Sequence, residues 1–123
     1  MLHSRLQAFR FAFEGLGYLL RTQTNARIHL AMTAATVVMA AWLHIDREGW
    51  VFLVLVIGLV WAAEAFNTAL EAVVDLASPE SHALAKASKD VAAAGVLLAA
   101  ATAVVVGLLI LGPPLWARLQ GGG

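Results

Sequence analysis

The sequence contains no cysteine in its 123 residues. This absence excludes disulfide bonds, thiol catalysis and cysteine-ligated zinc from the chemistry of the protein. Charged residues are scarce at 13%, and eight basic and eight acidic side chains cancel to a net charge of zero. Because no global positive field attracts nucleic acid, we predict no nucleic-acid partner. The sequence also lacks the glycine-rich phosphate-binding loops of P-loop nucleoside triphosphatases and of protein kinases.

Apolar residues, by contrast, make up 61% of the chain, and the mean hydropathy is +0.81. Soluble domains contain about 45–50% apolar residues, and a chain this short cannot bury such an excess in its own core. We therefore predict an all-α integral membrane protein. Residues 1–120 are expected to form one domain, and residues 121–123 a flexible tail.

Hydrophobic periodicity divides the domain into four helical segments. Residues 2–22 place apolar side chains at three- and four-residue steps with arginines between them, which is typical of an amphipathic helix in the membrane interface. Three further segments are long and apolar enough to be predicted as transmembrane helices, and they cover residues 28–45, 50–76 and 90–112.

The ends of these segments carry polar or helix-breaking residues. We predict a polar turn at 46–49, and a helix end at Pro113 and Pro114. Ser78 and Pro79 fit the N-cap and first position of a new helix. Four arginines precede the first predicted span and two lysines lie in the 77–90 loop. The positive-inside rule therefore places the N-terminus and this loop in the cytoplasm.

One helix face carries a row of polar side chains. At 100° per residue, Glu64, Asn67, Glu71 and Asp75 fall within an arc of roughly 80°. A carboxylate in the hydrocarbon layer costs at least ~2.5 kcal/mol, so such residues usually serve function and face a protein interior or water. The alternative is a hydrogen-bonded cluster that only holds subunits together, although three like charges in one row repel each other.

The charge pattern at the cytoplasmic end of this row indicates phosphate chemistry. A row of carboxylates suits a hard cation such as Mg²⁺, which commonly takes one or two carboxylates plus substrate phosphates. Lys89 and Asp90 begin the third predicted span at the same level, where a lysine and a helix N-terminus favour phosphate. The alternative for Lys89 is a snorkelling interfacial lysine. A carboxylate inside the lipid layer suggests a lipid hydroxyl as the phosphoryl acceptor.

Three segments resemble one known family. Residues 64–75 (EAFNTALEAVVD), 87–94 (ASKDVAAA) and 25–29 (NARIH) resemble, in order and spacing, the signatures of the small prokaryotic diacylglycerol kinase and undecaprenol kinase family. The resemblance covers nearly the whole chain. It implies a homotrimer of three-span subunits in the bacterial inner membrane. It also implies transfer of the γ-phosphate of MgATP, with ATP as co-substrate, to a lipid alcohol.

The resemblance also implies residue roles. Glu64 would be the general base, Asn67 would orient the reacting groups, and Glu71 would hold Mg²⁺. Further positions would contact the nucleotide, namely Asp75, Lys89, Asp90, Gly15 and Tyr18. The chain departs from the family at Gln23, where a second metal-binding glutamate is common. The neutral carbonyl oxygen of Gln23 is a weaker ligand for a hard cation, and we keep it as a candidate ligand.

The acceptor lipid and the activity itself have alternatives. Thr68 and the 27–29 segment look more like the undecaprenol kinase branch, so undecaprenol is the favoured acceptor and diacylglycerol the alternative. A non-catalytic lipid-binding or assembly subunit is one rival, supported by the departure at Gln23. A small proton-coupled transporter subunit is another, because membrane carboxylates often mark proton relays.

Overall fold

The fold is known from a computed structural model that describes residues 2–121. Met1, Gly122 and Gly123, which include most of the predicted tail, lie outside the described residues. Every regular element of the described chain is helical, in agreement with the predicted all-α class. The helices are α1 (Leu2–Thr22), α2 (Thr24–Trp42), α3 (Arg47–Ala77) and α4 (Ala83–Leu119).

Helix α1 occupies the residues of the predicted amphipathic helix, and a sharp corner at Gln23 separates it from α2. The extended backbone of Gln23 ends one helix and begins the next. The Arg27 guanidinium donates to the carbonyl oxygens of Leu20 at 2.9 Å and Arg21 at 2.6 Å. These carbonyls belong to the last turn of α1, whose acceptors have no partner within the helix. Arg27 therefore fixes the corner.

Helices α3 and α4 form the most extensive helix pair and are each long and apolar enough to cross a membrane. Their 31 and 37 residues correspond to roughly 46 and 56 Å of helix. Most of their apolar side chains are exposed, and Ala99 is the residue of α4 that is buried. An apolar surface of this extent requires lipid or other protein around it. Helix α2 does not meet the same length-and-hydropathy criterion, since Asn25, Arg27 and His29 occupy its first turns.

The predicted start of the last helix at Ser78 and Pro79 is wrong. Ser78 instead ends α3, and its backbone N–H donates to the Val74 carbonyl oxygen at 2.8 Å. Helix α4 begins at Ala83 with His82 as its N-cap, because the His82 Nδ1 atom accepts from the backbone N–H of Leu84 at 3.0 Å. An imidazole nitrogen here supplies the acceptor that a serine or aspartate usually provides.

The predicted helix end at Pro113 and Pro114 is also wrong, because α4 continues through both prolines to Leu119. Each proline lacks an N–H and weakens the helix. A contact beyond them holds the final turns: the Arg118 guanidinium donates to the Trp42 carbonyl oxygen at 3.0 Å and lies 4.5 Å from the centre of the Trp42 ring. Arg118 thereby satisfies an acceptor at the end of α2 and ties α4 to it.

The predicted turn at 46–49 is shorter than expected, because α3 already begins at Arg47. Asp46 is the N-cap, and its side chain accepts from the backbone N–H of Gly49 at 2.8 Å. Gly49 is buried, and a Cβ at this position would lie 2.4 Å from Ile45 Cγ2 and 3.3 Å from Ile110 Cγ2. The absence of a side chain at Gly49 therefore lets α3 and α4 approach closely at this end.

Candidate functional site at the polar end of α3

The polar row of α3 passes from a buried to an exposed environment. Glu64 is 1% exposed and Asn67 is 7% exposed, whereas Glu71 is half-buried and Asp75 is exposed. Thr68, one turn beyond Glu64, is also buried at 7% exposure. Along the helix, the first carboxylate is enclosed by protein and the last one faces outwards. The row thus runs from the protein interior at Glu64 to the exposed C-terminal end of α3 at Asp75.

Neighbouring members of the row interact. The Asn67 side-chain amide donates to Glu71 Oε1 at 3.3 Å, which leaves the Asn67 Oδ1 atom buried without a hydrogen-bond partner in the described chain. The Thr68 hydroxyl and Glu64 Oε2 are likewise buried and unpaired. Buried polar atoms of native proteins are normally satisfied, so each exception calls for an explanation. Several such atoms on adjacent turns fit a place where a polar ligand binds.

The oxygens at Asn67 and Glu71 also fit a hard cation. A carboxylate and an amide carbonyl are ligands of the kind that Mg²⁺ accepts. Within residues 2–121, however, no three histidine or acidic side chains gather closely enough to hold a metal by themselves. These oxygens therefore suit a cation that takes few ligands from the protein and whose coordination shell is completed by phosphates or water.

Helix α2 contributes a histidine to the buried end of the row. His29 Nε2 lies 3.5 Å from Glu64 Oε2, and its ring packs edge-on against Trp61 with the centroids 6.5 Å apart. The Trp61 indole N–H donates to the Thr33 hydroxyl at 3.0 Å. Neither residue was predicted to belong to the site: His29 entered the sequence comparison only as part of the 25–29 segment, and Trp61 was not singled out. Trp61 precedes Glu64 by three residues, so the two side chains are neighbours on the helix surface. This spacing could have identified Trp61 as a neighbour of the site from the sequence.

A polar cleft of about 310 Å³ lies between the end of α3 and the start of α4. The Lys89 ammonium pairs with the Asp75 carboxylate across the two helices, and Lys86 Nζ lies 2.6 Å from Asp90 Oδ2 within α4. The structure therefore brings Asp75, Lys89 and Asp90 to one cleft, as the sequence predicted, and adds Lys86. Lys86 precedes the apolar stretch of α4, and its hydrogen bond to Asp90 raises the pKa of the Lys86 ammonium.

An apolar groove of about 430 Å³ has His29 in its lining. Side chains of α2, α3 and α4 line it, among them Met32, Met39, Val60 and Leu108. Polar atoms contribute little to this lining, so the groove suits hydrocarbon. His29 also contacts Glu64, and it therefore links the groove to the first carboxylate of the polar row.

Three predicted site residues lie at or before the corner between α1 and α2. Gly15 and Tyr18 are exposed on α1, and the Tyr18 carbonyl oxygen accepts from the Thr22 hydroxyl at 2.8 Å. The Gln23 amide nitrogen donates to the Thr22 hydroxyl oxygen at 3.3 Å. No hydrogen bond or ion pair of the described chain joins these residues to the row on α3 or to the cleft on α4. Their predicted roles remain predictions.

Together, the fold and the site define a small helical membrane protein with a carboxylate row that leads from an apolar groove to a charged cleft. Comparison with known proteins gives the family. The family model for prokaryotic diacylglycerol kinase matches residues 10–111. The chain therefore belongs to the prokaryotic diacylglycerol kinase family, a family of membrane lipid kinases.

Individual relatives agree with this assignment. The diacylglycerol kinase of Synechocystis sp. is 47% identical over 111 residues, which cover 89% of this chain and 63% of the relative. The undecaprenol kinase of Bacillus subtilis is 34% identical over 114 residues, with 93% of each chain covered. The diacylglycerol kinase of Escherichia coli K12 is 32% identical over 106 residues, which cover 86% of this chain and 87% of the relative. The chain thus spans less than two thirds of the Synechocystis protein and most of the other two.

Proposed function

We propose that this chain transfers the γ-phosphoryl group of ATP, in the presence of Mg²⁺, to the hydroxyl group of a membrane lipid. The observation that carries the proposal is the location of Glu64. This carboxylate is 1% exposed, contacts a residue of the apolar groove, and begins a row that ends at a cleft with two lysines. A hydrocarbon chain in the groove would bring its hydroxyl to the carboxylate while the polyphosphate remains at the polar end.

In this mechanism Glu64 is the general base. It takes the proton of the lipid hydroxyl as the hydroxyl oxygen attacks the γ-phosphorus, and the bond from that phosphorus to the β,γ-bridging oxygen breaks to release ADP. Asn67 orients the reacting groups. Its side chain is fixed from one side by the hydrogen bond to Glu71, and its buried Oδ1 is free to accept from a ligand.

Glu71 would hold Mg²⁺, with Gln23 as a weaker second ligand, and the bound ion would neutralise charge on the phosphates. Asp75, Lys89 and Asp90 would bind the nucleotide at the polar cleft, with Gly15 and Tyr18 as further contacts. The pairing of Lys89 with Asp75 supports this assignment, since it fixes an ammonium group at the cleft where a phosphate could exchange for the carboxylate.

The acceptor is undecaprenol or diacylglycerol. Thr68 favours undecaprenol by its resemblance to that branch, whereas the 47% identical relative is named a diacylglycerol kinase. The 27–29 segment is weaker evidence for undecaprenol than its sequence resemblance indicates. The Arg27 guanidinium donates to carbonyl oxygens of α1 and therefore has a structural role. Both lipids therefore belong in the test.

We further propose three membrane spans, formed by α2, α3 and α4, in a homotrimer in the bacterial inner membrane with the polar cleft in the cytoplasm. The exposed apolar side chains of α4 support contact with lipid or with other copies. The exposure of Gly15 and Tyr18, and the absence of a three-ligand metal cluster in residues 2–121, are consistent with a site that a second copy completes.

The direct test is transfer of labelled γ-phosphate from ATP to diacylglycerol and to undecaprenol, measured side by side in bilayers with Mg²⁺. Glu64→Gln removes the base with little change in shape, so we expect label in one lipid from the wild type and none from this variant. Glu48→Gln is the matched control. It makes the same chemical change on an exposed residue of α3, 16 residues or roughly 24 Å from Glu64.

The possible results separate the hypotheses. Loss of label in Glu64→Gln, with the control active and ATP binding retained, supports Glu64 as the base and identifies the acceptor. Equal transfer by Glu64→Gln and wild type would remove Glu64 from this role. No label in either lipid from folded wild-type protein would overturn the kinase proposal and favour a non-catalytic lipid-binding subunit.

A further inference from the structure

Within residues 2–121, the ion-pair contact of the buried Glu64 carboxylate is with a histidine of another helix. His29 Nε2 on α2 lies 3.5 Å from Glu64 Oε2 on α3. The side chains are 16% and 1% exposed, and neither atom has a hydrogen-bond partner elsewhere in the described residues. Two buried polar atoms that face each other, each otherwise unsatisfied, are positioned to form a hydrogen bond after a small approach.

The His29 ring packs against an aromatic side chain of α3. The ring planes of His29 and Trp61 meet at 63°, with the centroids 6.5 Å apart. The Trp61 indole N–H donates to the Thr33 hydroxyl at 3.0 Å, and this hydroxyl donates to the His29 carbonyl oxygen at 2.7 Å. Trp61 therefore ties α2 to α3 one turn from Glu64 and packs on the imidazole beside the carboxylate.

Three cationic groups of α2 and α4 are engaged elsewhere. Arg27 on α2 donates to carbonyl oxygens of α1, and Lys89 and Lys86 on α4 pair with Asp75 and Asp90. On α3 itself, the Asn67 amide nitrogen is directed to Glu71. Among the described residues, His29 is the one that makes an ion-pair contact with Glu64. A buried carboxylate without a polar partner is costly.

We propose that His29 is the positioning residue of the general base. Its Nε2–H donates to the Glu64 carboxylate and fixes the direction in which that carboxylate faces the substrate. This inference rests on the proposed kinase function. In the transfer step the lipid O–H bond breaks, its proton goes to Glu64, the new O–P bond forms, and the bond from the γ-phosphorus to the β,γ-bridging oxygen breaks as ADP leaves.

The test compares His29→Gln with His29→Asn in the full-length protein in bilayers. Both variants are polar and carry an amide N–H, but the glutamine amide nitrogen can reach the position of His29 Nε2, whereas the asparagine nitrogen stops short of it. We expect His29→Asn to lower kcat by roughly tenfold to a hundredfold, a part of the roughly 10²–10⁴ contributed by a general base. KM for ATP should be unchanged, and His29→Gln should remain closer to wild type. His3→Gln, on the exposed face of α1, is the control.

The carboxylate vibration of Glu64 gives a readout that a loss of packing elsewhere would not produce. Infrared difference spectra between each protein and its Glu64→Gln counterpart isolate the carboxylate band of Glu64 without turnover. A hydrogen bond from His29 Nε2 to this carboxylate alters the band. We therefore expect the band to shift in His29→Asn and to remain close to its wild-type position in His29→Gln.

The two measurements separate failure of this inference from failure of the kinase proposal. A Glu64 band that shifts in His29→Asn, in a protein that phosphorylates neither lipid, would support the pairing and overturn the kinase. Active wild type, with kcat and the Glu64 band unchanged in His29→Asn, would overturn the role of His29. Equal losses of kcat in His29→Asn and His29→Gln, with an unmoved Glu64 band, would also overturn it, because they would show that His29 acts only by packing.

Discussion

The Asp75 carboxylate and the Lys89 ammonium form an ion pair that joins α3 to α4 at the polar end of the molecule. Both side chains are partly exposed, at 65% for Asp75 and 38% for Lys89. Exposed pairs of this kind contribute roughly 0–1 kcal/mol to stability. The pair therefore contributes little to the packing of the two helices. Breaking it requires little free energy, so a phosphate could replace the carboxylate as the partner of Lys89.

The two lysines of the cleft should differ in their effect on nucleotide binding. Lys89→Ala removes the half-buried cross-helix ammonium, and we expect ATP affinity to fall about tenfold to a hundredfold, as for loss of a charge-assisted hydrogen bond. Lys86→Ala removes an exposed lysine that pairs within its own helix, and should change affinity by less than about threefold. Calorimetric titration of ATP into each detergent-solubilised variant measures the difference. Equal effects would show that Lys89 has no special part in binding.

The residue at position 23 should affect the affinity of the protein for Mg²⁺. Gln23→Glu replaces a neutral amide oxygen by a carboxylate, a stronger ligand for a hard cation. The Mg²⁺ concentration for half-maximal activity should therefore fall several-fold. Glu71→Ala is the comparison in the opposite direction, since loss of the main predicted ligand should raise this concentration or abolish Mg²⁺-dependent nucleotide binding. A titration curve identical in Gln23→Glu and wild type would exclude position 23 from the metal site.

Gly49 should be essential for the close approach of α3 and α4. A Cβ there would lie 3.3 Å from Ile110 Cγ2 on α4 and would overlap Ile45 Cγ2 in the turn before α3, so Gly49→Ala requires side chains to shift. We expect a destabilisation of about 1–3 kcal/mol, reduced by up to about 1 kcal/mol of improved helix propensity. Gly58→Ala, on the same helix with no atom within 4 Å of the added Cβ, is the control. Thermal unfolding in detergent compares them, and a Gly49→Ala protein at least as stable as wild type would contradict the close packing.

Much of the site could be predicted from helical spacing. Glu64, Asn67, Glu71 and Asp75 recur at three- and four-residue steps, and a regular helix must place them on one face whatever surrounds it. The order from buried to exposed followed from the position of that row along an apolar helix. The cleft with Lys89 and Asp90 also followed, since one short connection brings the end of α3 to the start of α4.

Helix ends were predicted less well, because caps and tertiary contacts decide them. His82 caps α4 through a ring nitrogen, a role that residue preferences assign to the nearby Ser78. The two prolines at 113 and 114 do not end α4, since Arg118 fastens the turns beyond them to Trp42. Neither contact has a periodic pattern in the sequence.

The sequence by itself determined that the protein is helical and membrane-embedded and that its carboxylates form one row, because these properties depend on composition and on the fixed geometry of a helix. Only the tertiary structure decided which group faces the buried carboxylate. His29 precedes Glu64 by 35 residues, and the two helices that carry them are joined by the hydrogen bond from Trp61 to Thr33. Such contacts arise from the packing of α2 on α3, which no local periodicity specifies.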